Sequence, residues 1–351
     1  MAVKKKAKKI LLKQRAMHRV LLALLPCVLG AVYFFGWRSL GMILWAGVVG
    51  FLTEYAFARS RGEPVTEAVF VTTTLLALVM PPTVPWYVLT VGVIFAVMFA
   101  KEIFGGFGRN IFNPALAGRC FVYVCFPVAL TGTWAPAADG FWGALDRWST
   151  VVTPDATTGA TPMANLKAGK IVLDSSDAAA PEIPFDIAEG EQVPLQPGVL
   201  LKGLVFGRLS GTMGVTSALL IAIGGIYLFV TKTASRTIIL WLIGTYAVLN
   251  QILYWCGVEP VPGAWPAVLG GGFLFGAFYM ATDPVSSPRT EPARIIYAII
   301  IGTCTVVIRN FSIFNGGLMF SILIGNMFAP ILDYSVKAHI ARKKARGQAD
   351  A

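Results

Sequence analysis

Apolar residues in this chain fall in long uninterrupted blocks, not in stripes at helical spacing. Reading blocks between charges and Pro/Gly breaks gives ten segments: 20–36, 39–57, 67–80, 86–100, 114–131, 212–230, 237–254, 264–282, 294–308 and 317–335. Segments apolar on every side predict helices surrounded by lipid or by other helices. Crossing the hydrocarbon core takes about 20 residues, so several of these blocks are too short to cross straight. The pattern predicts an all-α polytopic membrane protein of about ten transmembrane helices. It divides the chain into a basic tail (1–19), a first five-helix half (20–131), a long polar loop (132–211), a second five-helix half (212–335) and a second basic tail (336–351).

The two halves share landmarks. Segment 67–80 stops at Met80-Pro81-Pro82, and segment 264–282 stops at Ala281-Thr282-Asp283-Pro284. The fifth segments are entered through Arg109-Asn110-Ile111-Phe112-Asn113 and through Arg309-Asn310-Phe311-Ser312-Ile313-Phe314-Asn315. Five spans per half give the halves opposite orientation, and paired broken helices in inverted repeats place half-helix ends near the midplane, where ligands bind.

Charge supports this layout and orients it. Loops on the side of the N-terminus carry Arg59, Arg61, Lys101, Arg109, Lys232, Arg236 and Arg289. On the opposite side, Pro81–Pro85 has no cation, Val258–Gly263 has only Glu259, and 132–201 holds nine acids against Arg147, Lys167 and Lys170. The positive-inside rule then puts both termini in the cytoplasm and the long loop outside. Only 13% of residues are charged and mean hydropathy is +0.68, far from the roughly 25% charged of soluble domains. The net charge of +11 suggests nucleic acid at first sight. Eight of the 29 Lys and Arg, however, lie in the first nineteen residues, and five more (Lys337, Arg342, Lys343, Lys344, Arg346) follow the last block. Basic tails beside apolar spans read as contacts with anionic lipid, not nucleic acid. The apolar run after the first tail continues through Gly30–Phe35 without a small-residue cleavage pattern, so it reads as an uncleaved helix. Cys27, Cys120, Cys125, Cys256 and Cys304 form no CxxC pair, and His18 and His339 are the only histidines, which argues against a metal, haem or disulfide framework within this chain.

Four places carry candidate chemistry. Gly105-Gly106-Phe107-Gly108-Arg109-Asn110-Ile111-Phe112-Asn113-Pro114 is a Gly-rich loop opening a helix. Asn113 as N-cap and Pro114 in the first turn are explained by the helix start alone. Asn110 and the glycines are not, and two carboxamides suit a heteroaromatic ring that needs donors and acceptors. Asp283 ends a Gly-rich apolar segment, where an acid is costly and usually functional. Glu54 and Asp333 are the other acids inside apolar blocks, readable either as span ends reaching water or as ligands for a hard cation. Arg119, inside the fifth segment, needs an anionic partner that the sequence does not name. In the long loop, Thr157-Thr158-Gly159-Ala160-Thr161-Pro162 offers a hydroxyl in a small-residue turn.

Taken together and in this order, GGFGRNIFNPALAGRCF (105–121), TTGATP (157–162) and FGAFYMATDPVS (275–286) resemble the NqrB subunit of the Na+-translocating NADH:quinone oxidoreductase and its relative, the RnfD subunit of the Rnf complex. The likeness runs from about residue 40 to 346 and includes the last span, Asn315 to Asp333. It implies FMN joined by a phosphoester to Thr161, with Thr158 standing where a Ser is usual. It also implies a non-covalent riboflavin at Asn110, Asn113 and Asp283, sodium uptake involving Glu54 and Asp333, and quinone access near Gly50. In such a translocase electrons come from a neighbouring subunit's FMN, pass to the flavin on Thr161, then to riboflavin and to quinone. Implied partners are the other subunits of a multi-subunit complex in a bacterial inner membrane, a flavin transferase, quinone, Na+ and lipid. The subunit alone, with neither an NADH site nor an iron–sulfur motif, is expected to have no turnover.

Two departures lean toward the Rnf side: the short basic start and the long acidic stretch at about 163–200. GRNIFNPALAGRCF and IRNFSIFNGGLMF lean toward the sodium pump. A reading of another class, an inverted-repeat solute channel or transporter, makes Asp283 and the asparagines a solute path and Thr161 an ordinary loop residue.

Overall fold

A computed structural model describes residues 10–132, 134–138, 140–150, 161–174, 180, 182–184, 187, 191–314 and 316–349. Thr157 to Ala160 and Asn315 lie outside the described residues. The chain opens with β1 (Leu11–Leu12), then the long helices α1 (Arg15–Phe35) and α2 (Trp37–Arg61), and β2 (Val65–Thr66). Then come α3 (Ala68–Leu78), α4 (Trp86–Val97) ending in a π-turn (Met98–Glu102), and α5 (Pro114–Cys125) followed by a π-turn (Val128–Gly132). The long loop holds α6 (Pro162–Lys167), β3 (Ile171–Leu173), β4 (Val193–Leu195) and α7 (Pro197–Phe206). The second half comprises α8 (Ala218–Val230), α9 (Arg236–Trp255), α10 (Ala264–Leu269), α11 (Phe273–Phe275) with a π-turn (Gly276–Met280), α12 (Glu291–Phe311) and α13 (Gly317–Ala349).

The protein is a mainly helical, polytopic membrane protein. Among the described residues five stretches are long and apolar enough to cross a bilayer: Arg15–Phe35, Trp37–Arg61, Arg236–Trp255, Glu291–Phe311 and Gly317–Lys343. The other apolar helices are shorter. Several boundaries differ from those read in sequence. Segment 264–282 is not one helix, because Gly271 and Gly272 both take positive φ and break it between α10 and α11. Segment 114–131 stops being α-helical at Cys125, since Pro127 turns Phe126 away from helical geometry. Segment 212–230 becomes helical only at Ala218. Its first residues instead close the end of α3, Met213 and Gly214 donating to the carbonyls of Met80 and Leu78 at 3.0 and 2.7 Å. The last helix runs on to Ala349, so the C-terminal basic stretch extends α13. Nor is the chain purely helical: β1 pairs with β2, and β3 with β4, each in a short parallel ladder.

Small residues let these helices meet closely, as expected where lipid gives no hydrophobic drive for association. A side chain at Gly224 would run into the Ala23 carbonyl, so α8 crosses α1 backbone to backbone. Gly50 brings α2 close to its neighbours, with Thr73 and Val69 of α3 and Val93 of α4 around its α-carbon. The main core gathers α1–α5 and α8–α13, while the long loop has its own cluster around Ile171, Leu195, Leu200 and Leu204.

Candidate functional site

Thr161 precedes α6, with extended backbone (φ −66°, ψ 148°) and a half-buried side chain. Its Oγ accepts from the Ala164 amide at 3.3 Å, so the hydroxyl proton has no competing role in the cap. The hydroxyl lines a cavity of about 240 Å³ that runs inward between α5, the Gly271–Gly272 break and α13, past Tyr123 and Met280. Two guanidinium groups line the same cavity: Arg119 from α5 and Arg309 from α12. Arg309 is 8% exposed. Its Nη1 donates to the Tyr246 hydroxyl (3.1 Å) and the Ala267 carbonyl (3.2 Å), whereas Nη2 has no partner. Gly271 (φ +56°) makes room for it, since any side chain there would collide with the guanidinium. The Nε of Arg119 is also buried without a partner. Among the described residues neither arginine pairs with a carboxylate. Shielded cationic groups without a carboxylate are costly unless an anion meets them, and the cavity sets two of them beside a hydroxyl.

Sequence reasoning reaches Arg119 and leaves its partner open; it misses Arg309 as a cavity residue. The signal was available as the repeated Arg-Asn pair at 109–110 and 309–310. Lys167, which lines a small neighbouring pocket shared with Thr161 and Arg309, donates from Nζ to the carbonyls of Arg309 and Ser312 at the end of α12. Burial, with the Arg309 charge next to it, holds that ammonium below its ordinary pKa.

On the other side of the same wall lies a narrow cleft of about 60 Å³. It brings together all three residues read in sequence as a ring site, Asn110, Asn113 and Asp283, and adds Lys101, Phe107 and Thr72. The wall is the start of α5 and the stretch Phe278–Met280: Leu116 and Met280 face the cavity, Asn113 and Phe278 the cleft. Asn113 caps α5 by accepting from Ala115 (3.1 Å) and Leu116 (3.3 Å), and its Nδ2 donates to the Met280 carbonyl at 3.2 Å. It therefore ties the two broken elements together. Asn110 donates to the Phe112 carbonyl at 3.0 Å, which leaves its amide oxygen as the free acceptor. Asp283 accepts from the Ser286 hydroxyl at 2.8 Å and the Val285 amide at 3.4 Å.

The remaining acids part company. Glu54 is 2% exposed and pairs with Lys101, which is 1% exposed. In sequence Lys101 reads as a loop cation; in the fold it is the buried partner that a carboxylate inside an apolar helix requires. Asp333 instead accepts from the amides of Arg289 (2.8 Å) and Thr290 (2.9 Å) and from the Thr290 hydroxyl (2.7 Å), capping the start of α12. Gly50 sits at the α2–α3–α4 crossing and lines neither the cavity nor the cleft. Among the described residues no group of three His, Cys, Asp or Glu is arranged to hold a metal.

Broken helices, a cation-lined cavity beside a loop hydroxyl and a buried ion pair mark a polytopic membrane protein with enclosed polar sites. The chain belongs to the NQR2, RnfD, RnfE family, whose model matches residues 7–342. It is 35% identical over 329 residues to the B-type subunit of the Na(+)-translocating NADH-quinone reductase of Chromohalobacter salexigens, covering 92% of this chain and 70% of that one. The same-named protein of Klebsiella pneumoniae is 36% identical over 91% of this chain and 70% of its own length. The D-type subunit of the ion-translocating oxidoreductase complex of Alcanivorax borkumensis is 33% identical, over 91% of this chain and 89% of its own.

Proposed function

We propose that this chain is the flavin-carrying membrane subunit of a cation-translocating NADH:quinone oxidoreductase, with FMN esterified through its phosphate to Thr161. The observation that carries this reading is the cavity in which the Thr161 side chain shares a lining with buried Arg309 and half-buried Arg119, each with a buried nitrogen that has no partner and neither paired with a carboxylate among the described residues. That donor set fits a phosphate-bearing ligand: arginine is suited to bidentate phosphate binding and remains charged when buried. Bound there, a flavin supplies one- and two-electron chemistry that no side chain of this protein offers. The protein's part is to offer the Thr161 oxygen, hold negative charge with Arg119 and Arg309, and exclude water with Phe275, Met280 and Met319.

The cleft at Asn110, Asn113 and Asp283 is the proposed riboflavin site. The Asn110 amide oxygen and the Asp283 carboxylate face ring donors there, and quinone approaches past the α2–α3 face near Gly50. Glu54 and Asp333 are proposed on the cation path, Glu54 within the bundle and Asp333 at the turn it caps. In this reading the short helices complete ten membrane crossings in two inverted halves, α3 and α10–α11 being the paired broken elements. The termini are cytoplasmic, the Thr161 loop is extracytoplasmic, and the bilayer is a bacterial inner membrane. A flavin transferase loads Thr161, and the other subunits bring electrons from NADH.

A second reading, the RnfD subunit of an Rnf-type complex, is favoured by one observation: this chain covers 89% of such a relative against 70% of the pump subunits. The test of the flavin site is ultraviolet fluorescence of the denatured band, from a host that has the flavin transferase. A band that vanishes in Thr161→Ala supports the assignment; a dark wild-type band refutes it. The electron donor of the purified complex, NADH or ferredoxin, separates the two complexes.

A further inference from the structure

Lys101 is the one buried ammonium, among the described residues, that joins the carboxylate of Glu54 to the cleft of Asp283. It stands in a π-turn, an element often found at functional positions. Its Nζ donates to Glu54 Oε2 and, at 2.9 Å, to the Thr66 hydroxyl. Thr66 in turn donates from its hydroxyl (2.7 Å) and its amide (2.9 Å) to Glu54 Oε1. The next residue, Glu102, is 4% exposed and pairs with Arg61, one of its oxygens being left without a partner. Across the cleft Asp283 accepts from the Ser286 hydroxyl and from the backbone of Val285 and Ser286. Of these carboxylates Glu54 has Lys101 and Glu102 has Arg61, which it shares with Glu63, while Asp283 pairs with no cation among the described residues.

We propose that Lys101 is a tethered cation exchanging between Glu54 and Asp283, and that when it turns into the cleft a sodium-sized monovalent cation takes its place on the Glu54 and Thr66 oxygens. This rests on the reading of Glu54 as part of the cation path. Two physical points drive the inference. Breaking a buried ion pair by removing one partner is strongly destabilising, while exchanging one cation for another avoids that penalty. Lys101 therefore leaves Glu54 only as another cation arrives, which makes exchange one for one. A lysine suits this better than an arginine, being a compact point charge on a flexible stem that does not lock bidentately onto one carboxylate. The vacated oxygens, a carboxylate and a hydroxyl, are those a hard cation prefers. Negative charge delivered to the cleft draws the ammonium the same way, so electron arrival and cation uptake become linked, each favouring the other.

The experiment uses the complete oxidised complex and reads its melting temperature in sodium against choline at constant ionic strength. Lys101→Met removes the tethered competitor, so its melting is expected to rise by several degrees with sodium where the wild type barely responds. The double variant Lys101→Met/Glu54→Gln should lose that response. Should Lys101→Met fail to assemble, Lys101→Arg keeps the charge but grips Glu54 with two bonds. Its sodium concentration for half-maximal turnover should rise about tenfold or more. Melting of Lys101→Met no more sodium-sensitive than wild type, a response that survives Glu54→Gln, or an unchanged half-saturation in Lys101→Arg would each overturn the exchange. A wild-type complex without flavin on Thr161 would instead overturn the functional reading, and the melting comparison would still decide the role of Lys101.

Discussion

At the level of single residues, the distinction that matters is between polar groups the fold uses and polar groups it leaves open. Asn113 is tied into the fold, as helix cap and as the link to Met280. Asn113→Ala should therefore cost about 1–2 kcal/mol for the cap and about 1 more for the lost cross-link. Asn113→Asp, which keeps the cap acceptor, should cost only the smaller part; melting of the two variants checks the split. Arg119 is the opposite case. Its guanidinium has no carboxylate to lose, and replacing a buried ion by an apolar side chain is often neutral or stabilising by about 1–4 kcal/mol. Arg119→Met made in a host without the flavin transferase should melt no lower than the wild type. Made with the transferase, it should carry at most about a tenth of the Thr161-linked fluorescence, because one charge-assisted clamp on the phosphate is gone. A purely structural arginine would show the reverse: lower melting and unchanged label.

Among the elements, close crossings are set by glycines whose neighbours are backbone, and the same substitution should change sign with its surroundings. Gly224 faces the Ala23 carbonyl, whereas nothing lies within 4 Å of a side chain placed on Gly244 in α9. Gly224→Ala should separate α1 from α8 and lower the melting temperature sharply. Gly244→Ala should leave it unchanged or raise it, by up to about 1 kcal/mol in stability. Thermal denaturation of the detergent-purified complex measures both. Which elements exist was largely legible from the blocks of apolar residues, because lipid-facing helices need no periodic pattern to be seen. Their ends were less so. The break at Gly271–Gly272 looks in sequence like any Gly-rich helix, and only the side of Arg309 it accommodates explains it. The α10–α11 discontinuity is thus a consequence of the cavity, which no local rule records.

For the whole molecule, charge is the quantity that orders everything else, and it was legible only where it is exposed. Counting cations per loop makes Lys101 one more cytoplasmic charge, since nothing local separates a loop lysine from one turned inward toward Glu54, 47 positions earlier. The ring-site residues stand out in sequence because each is polar against apolar neighbours; that they share one cleft follows only from the packing of α5 against Phe278–Met280. The loop count nevertheless predicts one orientation, and that orientation has a direct test. Ser60, at the end of α2, and Ala168, just after α6, are both exposed and are placed on opposite faces by the charge asymmetry. In a background where the native cysteines are replaced, Ala168→Cys should react with a membrane-impermeant maleimide in intact cells stripped of outer membrane. Ser60→Cys should react only after the membrane is opened. Reaction of Ser60→Cys from outside would turn the molecule over, moving Thr161 to the cytoplasm and removing the reason for a cavity that loads flavin from the outer face. Reaction of both from outside would mean that the first half crosses the bilayer a different number of times. Because only five helices among the described residues are long enough to cross unaided, that result would fall on the short elements α3, α4 and α5. Those are the elements that carry the cleft, so the orientation test also bears on whether the cleft and the cavity sit at different depths of one membrane.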